Sequence, residues 1–179
     1  PAAHAGIAIQ GVTKTFQGRK VLDATDFLIE RGETVVIIGR SGEGKSVLLK
    51  HIVRLLEPDA GKIWVEGVEI TGLAKPALFE LLKRFGMLFQ GAALFDSMSI
   101  CENVSLGLKE HSDLSPAAIR DRACECLELV GLRGVEDKAP SELSGGMKKR
   151  AGLARAIAMR PATILYDEPT TGLDPITAD

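Results

Sequence analysis

The sequence contains few aromatic residues, no excess of basic charge and no long apolar run. Aromatic residues make up 4% of the 179 residues, and the formal net charge is −2. Nucleic-acid-binding proteins usually present a basic surface, so no nucleic-acid partner is expected. No apolar stretch reaches the roughly 18–20 residues that cross a bilayer, and the first ten residues lack the pattern of a signal peptide. We therefore predict a cytoplasmic protein that meets a membrane only through a partner.

Cysteine is also scarce. The three cysteines, Cys101, Cys124 and Cys126, are too few and too poorly spaced for a zinc site. Cys124 and Cys126 lie two positions apart in a predicted helix, so they point to different faces. We interpret all three as buried, reduced thiols. The composition is that of an ordinary soluble protein, long enough for one well-buried core.

The sequence does contain a regular order of strand and helix patterns. Predicted strands cover residues 7–13, 21–29, 34–38, 63–70 (a hairpin), 85–90 and 163–166. Predicted helices cover residues 45–56, 77–84, 100–108, 116–130 and 145–159. Ser115 is a suitable cap for the fourth helix, with Pro116 at its first position. A buried strand, a glycine loop, a helix and a later strand that ends in carboxylates are the layout of an α/β nucleotide-binding core.

A glycine-rich segment between the predicted strand 34–38 and the following helix carries the clearest motif. Its residues fit the pattern G-x-x-x-x-G-K-[ST]: Gly39, Arg40, Ser41, Gly42, Glu43, Gly44, Lys45 and Ser46. Glycines let successive amides point inward, and the helix start presents a positive dipole end to an anion. We expect Lys45 to reach the β- and γ-phosphates of ATP and the Ser46 hydroxyl to ligate Mg²⁺. A chance glycine turn is the alternative.

Two adjacent carboxylates follow the predicted strand 163–166. Asp167 is suited to direct or water-mediated coordination of Mg²⁺, and Glu168 to polarising the attacking water as a general base. An Asp-Glu pair alone is usually a solvated strand end. Together with the phosphate loop, the pair favours a catalytic role.

A second candidate anion site lies at the segment Leu143-Ser144-Gly145-Gly146-Met147. Ser144 is placed to cap a helix that starts at Gly145, and the two glycines leave its first amides uncovered. An ordinary capped helix is the alternative. Since the chain already has one phosphate loop, the second element is expected to bind the nucleotide held by another copy of the protein.

Five features together resemble the ATP-binding cassette of ABC transporters, in order and spacing over nearly the whole chain. They are the phosphate loop, Gln90, the segment 143–147, the Asp167-Glu168 pair and residues 172–174. The resemblance implies an α/β fold: a P-loop NTPase (RecA-like) core with an N-terminal antiparallel β subdomain and an inserted α-helical subdomain. It also implies a head-to-tail homodimer with two ATP molecules between phosphate loop and signature segment. Gln90 would sense Mg²⁺ and the attacking water.

The same resemblance suggests further assignments. Phe16 would stack on adenine, although a partly buried strand aromatic is the alternative. All 179 residues would form one ATPase domain, with residues 1–90 and 161–179 as core and β subdomain and 91–160 as the helical signature subdomain.

Within the family, several segments look like the ATPases of Mce-type lipid transporters, the Mla-like systems that move phospholipid between the two membranes of Gram-negative bacteria. These segments are 39–41, 47–51, 85–97, 144–150 and 174–179. The implied partners are an integral membrane permease and, through it, a periplasmic Mce-domain protein, which would hold the subunit at the cytoplasmic face of the inner membrane. The apolar residues of 91–103 would meet the permease, or equally would belong to the helical core.

The sequence departs from the family pattern at two positions of the phosphate loop and at one position of the signature segment that is not expected to touch phosphate. Val47 stands where a second hydroxyl residue is common, which removes one phosphate hydrogen bond worth about 0.5–1.5 kcal/mol. Glu43 adds a carboxylate that is unfavourable there unless it turns outward. Met147 replaces the commoner glutamine of the signature.

The histidines raise a separate question. His4, His51 and His111 all precede Asp167, so the switch histidine of the family is not among them. We interpret the chain as C-terminally truncated, and His51 and His111 as helix-face and loop residues. The functional prediction is a transport-coupled ATPase, poorly active in this form. The alternatives are a nucleotide-binding fragment without turnover, the ATPase of another ABC importer or exporter, and a small nucleotide kinase.

Overall fold

In the computed structural model, which describes residues 5–89 and 91–167, the chain begins with a long hairpin. Strands β1 (Ala5–Phe16) and β2 (Arg19–Glu30) pair antiparallel, as predicted. Gln17 and Gly18 both have positive φ, which matches the strand twist in a two-residue hairpin turn. On its other edge β1 pairs with β3 (Ala60–Val65), and β4 (Val68–Glu69) completes the sheet in the order β2-β1-β3-β4.

The helix that follows the phosphate loop is shorter than predicted. Helix α1 (Lys45–Ile52) ends four residues before the expected position 56. Arg54 adopts a left-handed φ of 52°. Its amide donates to the His51 carbonyl at 3.0 Å, and the Leu55 amide donates to the Lys50 carbonyl at 2.8 Å. This pair of bonds is a Schellman motif, which closes a helix even without the usual glycine.

The predicted strand at 34–38 is absent from this structure. The segment is not assigned as strand, and Val36 and Ile38 are 76% and 92% exposed. A β-branched run fits the strand pattern, but a strand forms only where a neighbour completes its backbone hydrogen bonds. Within the described ranges, no sheet includes this segment.

The chain divides into two units, 1–80 and 81–179, and helix α2 (Lys75–Leu82) spans the boundary between them. In the second unit, β5 (Phe85–Leu88) and β6 (Thr163–Tyr166) pair in parallel, with Leu88 opposite Tyr166. Parallel strands require a long crossover connection, which here contains the helices. Whether all 179 residues form one ATPase domain remains a prediction.

The crossover contains three packed helices: α3 (Ile100–His111), α4 (Pro116–Leu129) and α5 (Gly145–Ala158). All three were predicted, although His111 proves to be the last residue of α3 and not a loop residue. Branched residues of α3 and α4 meet a face of alanines on α5, which allows close packing. The core includes Ile100, Val104, Leu108, Ile119, Leu127, Ala151, Ala154 and Ala158.

Two arginines connect the ends of α4 and α5. Arg122 of α4 donates to the carbonyls of Ile157 and Ala158, at 3.4 and 3.2 Å. Arg150 of α5 donates to the carbonyls of Val130 and Gly131, at 3.4 and 3.0 Å. The last carbonyls of a helix lack intrahelical partners and carry partial negative charge, so a guanidinium is favourable at both ends.

Among residues 5–89 and 91–167, no helix combines the length and the apolar character that crossing a membrane requires.

Candidate functional site

The phosphate loop leads into α1 through Gly44, which has a left-handed φ of 96°. A Cβ at this position would lie 2.9 Å from Cγ1 and 3.0 Å from the carbonyl oxygen of Val21. Glycine is therefore required both by the backbone conformation and by the close approach of β2. The N-cap residue is Gly44 itself, which has no side chain to cap α1, and the amides at a helix start favour an anion.

Lys45 is held over the loop by its own backbone. Its Nζ donates to the carbonyls of Gly39 and Arg40, both at 2.8 Å. An ammonium group has three donors, so two carbonyl bonds fix its position and leave one donor for a phosphate oxygen. This geometry suits the role that the sequence predicts for Lys45.

Glu43 turns toward the loop backbone rather than outward. Its Oε2 accepts the Arg40 amide at 2.7 Å, and its own amide donates to the Arg40 carbonyl at 3.3 Å. A Cβ at Gly39 would lie 2.9 Å from the same Oε2. The carboxylate therefore closes the turn of the loop, and it places a negative charge beside the groups that would meet phosphate.

Asp167 lies at the carboxyl end of the parallel strand pair. It directly follows β6, its amide donates to the Leu88 carbonyl at 2.9 Å, and it is only 6% exposed. Because both strands run the same way, the residues after β5 and after β6 meet at one edge. A carboxylate there supplies the oxygen ligand that Mg²⁺ prefers. Gln90 and Glu168, which follow these strands, lie outside the described residues.

Ser144 caps α5 as the sequence predicts. The helix begins at Gly145, and the Ser144 hydroxyl accepts the Met147 amide at 3.3 Å. Ser144 and Gly145 are both exposed, and a Cβ at Gly145 would have nothing within 4 Å. The start of α5 is therefore open to a ligand or to another chain.

Phe16 stands exposed at the end of β1, with 39% of its surface accessible. The Lys14 ammonium lies 5.6 Å from the ring centroid. Lys14 also donates to Asp59 Oδ1 at 2.8 Å. That bond, with the Thr15 amide, holds the pKa of Asp59 below its usual value. The ring is thus presented at the surface, as stacking requires.

His51 lies on helix α1, as expected, and on a face of that helix that is fully buried. Its Nδ1 lies 2.7 Å from the carbonyl oxygen of Val47, and its Nε2 has no hydrogen-bond partner in the described part of the chain. Val47, at the position of the missing hydroxyl, thus anchors a buried ring through its backbone.

The segment 91–103 contains both core and surface residues. Ala92 is fully buried and Leu94 packs against the helical core, whereas Phe95 is 50% exposed. Two residues that the sequence did not single out hold this segment: Arg155 of α5 and Asn103 of α3. Arg155 binds carbonyls more than sixty residues earlier in the chain, and Asn103 binds across a loop. A sequence pattern within one helix or strand therefore does not reveal either contact.

Comparisons with known proteins agree with these features. The family described as "ABC transporter" matches residues 22–171. The probable ribonucleotide transport ATP-binding protein mkl of Mycobacterium leprae is 45% identical over 170 residues, which are 95% of this chain and 49% of that protein. The intermembrane phospholipid transport system ATP-binding protein MlaF of Haemophilus influenzae is 44% identical, over 96% of this chain and 65% of that protein.

Among solved structures, a dimeric post-hydrolysis state of the ATP-binding cassette MJ0796 bound to ADP and Pi has a TM-score of 0.88. The two sequences are 32% identical, and the match covers 95% of this chain and 77% of the MJ0796 chain. The fold is accordingly that of an α/β P-loop NTPase (RecA-like) with an antiparallel β subdomain and an inserted helical subdomain. This chain spans about half the length of mkl. The match over residues 22–171 and the likeness to a known cassette show that the chain belongs to the ABC transporter family.

Proposed function

We propose that this chain is the ATP-binding and ATP-hydrolysing part of an ABC transporter subunit. The observation that carries the proposal is the phosphate loop, where Gly44 leads into the start of α1 and the loop carbonyls orient Lys45. This arrangement binds the β- and γ-phosphates of a nucleotide.

Each residue of the phosphate loop has a role in that function. The loop amides contact the phosphates along a segment that ends where α1 begins: Gly39, Arg40, Ser41, Gly42, Glu43, Gly44, Lys45, Ser46 and Val47. Lys45 stabilises the charge that develops on the transferred phosphoryl group. Phe16 stacks on the adenine.

Mg²⁺ would be held by Ser46, Gln90 and Asp167. The buried carboxylate of Asp167 at the end of β6 fits such a hard cation. The metal, when bound, neutralises charge on the β- and γ-phosphates. Glu168 accepts a proton from the attacking water, and Gln90 orients that water.

Two copies would bind head to tail. The exposed start of α5, with Ser144, Gly145 and Gly146, would contact the γ-phosphate of the ATP held by the other copy. The dimer of the solved cassette MJ0796 supports this arrangement. All 179 residues would then belong to one ATPase domain.

The transported substrate is proposed to be phospholipid. The name of MlaF in H. influenzae, which refers to intermembrane phospholipid transport, supports this choice. The subunit would lie at the cytoplasmic face of the inner membrane, bind an integral permease, and act through it on a periplasmic Mce-domain protein. The name of mkl in M. leprae refers to ribonucleotide transport, which makes ribonucleotides the competing substrate class.

Binding and turnover test the proposal directly. Lys45→Ala is expected to weaken Mg·ATP binding at least a hundredfold by calorimetry, whereas Lys50→Ala on the same helix retains it. In a full-length version, Glu168→Gln should form a stable dimer at saturating ATP, as measured by light scattering. A monomeric Glu168→Gln protein would contradict the sandwich mechanism. Phosphoryl transfer to nucleoside monophosphates would instead favour a kinase.

The substrate requires the complete complex. With the permease in nanodiscs, ATP hydrolysis is expected to rise with added phospholipid and not with added ribonucleosides. The opposite response would replace phospholipid by the competing class.

A further inference from the structure

The turn that follows β5 has an unusual backbone. Gly91, Ala92 and Ala93 all have positive φ, at 82°, 67° and 47°. Glycine adopts such angles readily, but an alanine in this region is disfavoured because its Cβ approaches the backbone. Two successive alanines hold this conformation only if surrounding groups stabilise it.

The stabilising groups come from α5. The two terminal nitrogens of Arg155 donate to successive carbonyls of the turn, Nη2 to Ala92 at 2.7 Å and Nη1 to Ala93 at 2.8 Å. Only a guanidinium presents two parallel donors in this fixed geometry. Burial lowers the pKa of Arg155, since desolvation disfavours its charge.

The same helix packs directly against the turn, one helical turn before Arg155. A Cβ at Gly152 would lie 2.9 Å from the Ala92 Cβ and 2.9 Å from Leu88 Cδ1. Gly152 therefore lets α5 approach the end of β5, and Arg155 fixes the turn that leaves it.

This contact joins two parts of the proposed ATPase. Helix α5 begins directly after Ser144, in the segment proposed to bind the other copy's nucleotide. The turn directly follows Gln90 and leads into Phe95, which is 50% exposed. We propose that Arg155 is a positioning residue that locks the turn at 91–93 to the signature helix, so that the two move as one body. The proposal rests on the function proposed above.

The test uses the full-length protein and a matched pair of variants. Arg155→Lys keeps the charge but replaces the two parallel guanidinium nitrogens by a single ammonium nitrogen, which cannot reproduce their paired geometry. Arg122→Lys is the control, because Arg122 makes the same kind of bond, to Ile157 and Ala158 at the end of α5. Amide exchange is followed by mass spectrometry in peptides that include Ala92, whose amide donates to the Phe89 carbonyl at 3.0 Å.

Arg155→Lys is expected to speed exchange in the turn at least tenfold, and to lower kcat at least fivefold with KM for Mg·ATP within twofold. Arg122→Lys leaves both turn exchange and kcat within twofold. Adding Ala93→Gly to Arg155→Lys should recover at least half of the lost kcat, because glycine adopts a φ of 47° without a Cβ penalty.

Any of four results would overturn the proposal. These are unchanged amide exchange in the turn of Arg155→Lys, an equal effect of Arg122→Lys, an unchanged kcat of Arg155→Lys, and no recovery of kcat on adding Ala93→Gly. If the unaltered full-length protein hydrolyses no ATP, the proposed ATPase function fails. The exchange measurements then still decide whether Arg155 holds the turn.

Discussion

Asn103 and Phe95 exchange two hydrogen bonds across a loop. The Phe95 amide donates to Asn103 Oδ1 at 2.7 Å, and Asn103 Nδ2 donates back to the Phe95 carbonyl at 3.1 Å. The same Nδ2 also reaches the carbonyls of Met98 and Ser99, at 3.2 and 3.0 Å. A single buried side chain on α3 thus fixes the path of the preceding loop.

Replacing that side chain should destabilise the helical unit. Asn103→Leu keeps the branched shape of the side chain but removes the acceptor of the Phe95 amide and the donor to the Met98 carbonyl, at a cost of about 3 kcal/mol in the free energy of unfolding. Urea denaturation measures the loss. Ser105→Ala on the same helix, where the hydroxyl lies 3.8 Å from Cys101 Sγ, should cost less than about 1 kcal/mol. Equal losses of stability in the two variants would argue against this role of Asn103.

Glu43 should weaken the affinity of the loop for nucleotide. Glu43→Gln retains an acceptor for the Arg40 amide but removes the negative charge beside the phosphates, so Kd for Mg·ATP is expected to fall about three- to tenfold. Glu33→Gln is the control, because Glu33 accepts the Glu30 amide at 2.8 Å in a different turn. Calorimetry at low and high salt measures both, and the gain should shrink with salt. An unchanged or weaker affinity of Glu43→Gln would contradict this role.

Substitution of two glycines of the phosphate loop distinguishes the cost of backbone strain from the cost of a steric clash. Gly42 has a φ of 80°, and a Cβ there would have nothing within 4 Å, whereas a Cβ at Gly44 would meet β2. We expect Gly42→Ala to cost about 1–2 kcal/mol in the free energy of unfolding, and Gly44→Ala more than about 3 kcal/mol. Chemical denaturation of the two variants provides the comparison. Equal costs would show that the contact with Val21 has no effect.

The lowered pKa of Asp59 leads us to expect that the free energy of unfolding depends on pH. Because Lys14 and the Thr15 amide stabilise the carboxylate in the folded state, the folded pKa lies below the unfolded one. Its contribution is therefore complete above the unfolded value of about 3.9 and is lost as the pH falls through the folded pKa. The difference in urea midpoint between the unaltered protein and Asp59→Asn should be present at pH 7 and shrink below about pH 3.9. A difference that does not change with pH would exclude this linkage.

Local patterns predicted those elements that depend on local chemistry. Ser115 and Ser144 cap α4 and α5 as predicted, because a hydroxyl one residue before a helix bonds an amide within its first turn. The two strands of the β1–β2 hairpin were predicted at residues 7–13 and 21–29, and each extends beyond its predicted ends. The phosphate-loop motif identified the segment that leads into α1, whereas the roles of its residues stay predictions.

The predicted ends of two helices differ in accuracy, although both helices end in a Schellman motif. Helix α4 ends in a Schellman motif with Gly131 at the left-handed position, and its end was predicted within one residue. Helix α1 ends in the same motif with Arg54 there, so the sequence offered no glycine to mark the stop. The burial of His51 and the carbonyl bonds of Arg155 depend on tertiary packing, which no local pattern contains.

The crossed arginines of α4 and α5 have a consequence for how this region opens. Arg122 can satisfy the end of α5 only while α4 is folded, and Arg150 can satisfy the end of α4 only while α5 is folded. Unfolding of either helix therefore removes the donor that satisfies the carbonyls at the end of the other. The two helices should consequently lose their structure in a single cooperative step, with closely matched opening free energies, rather than one after the other.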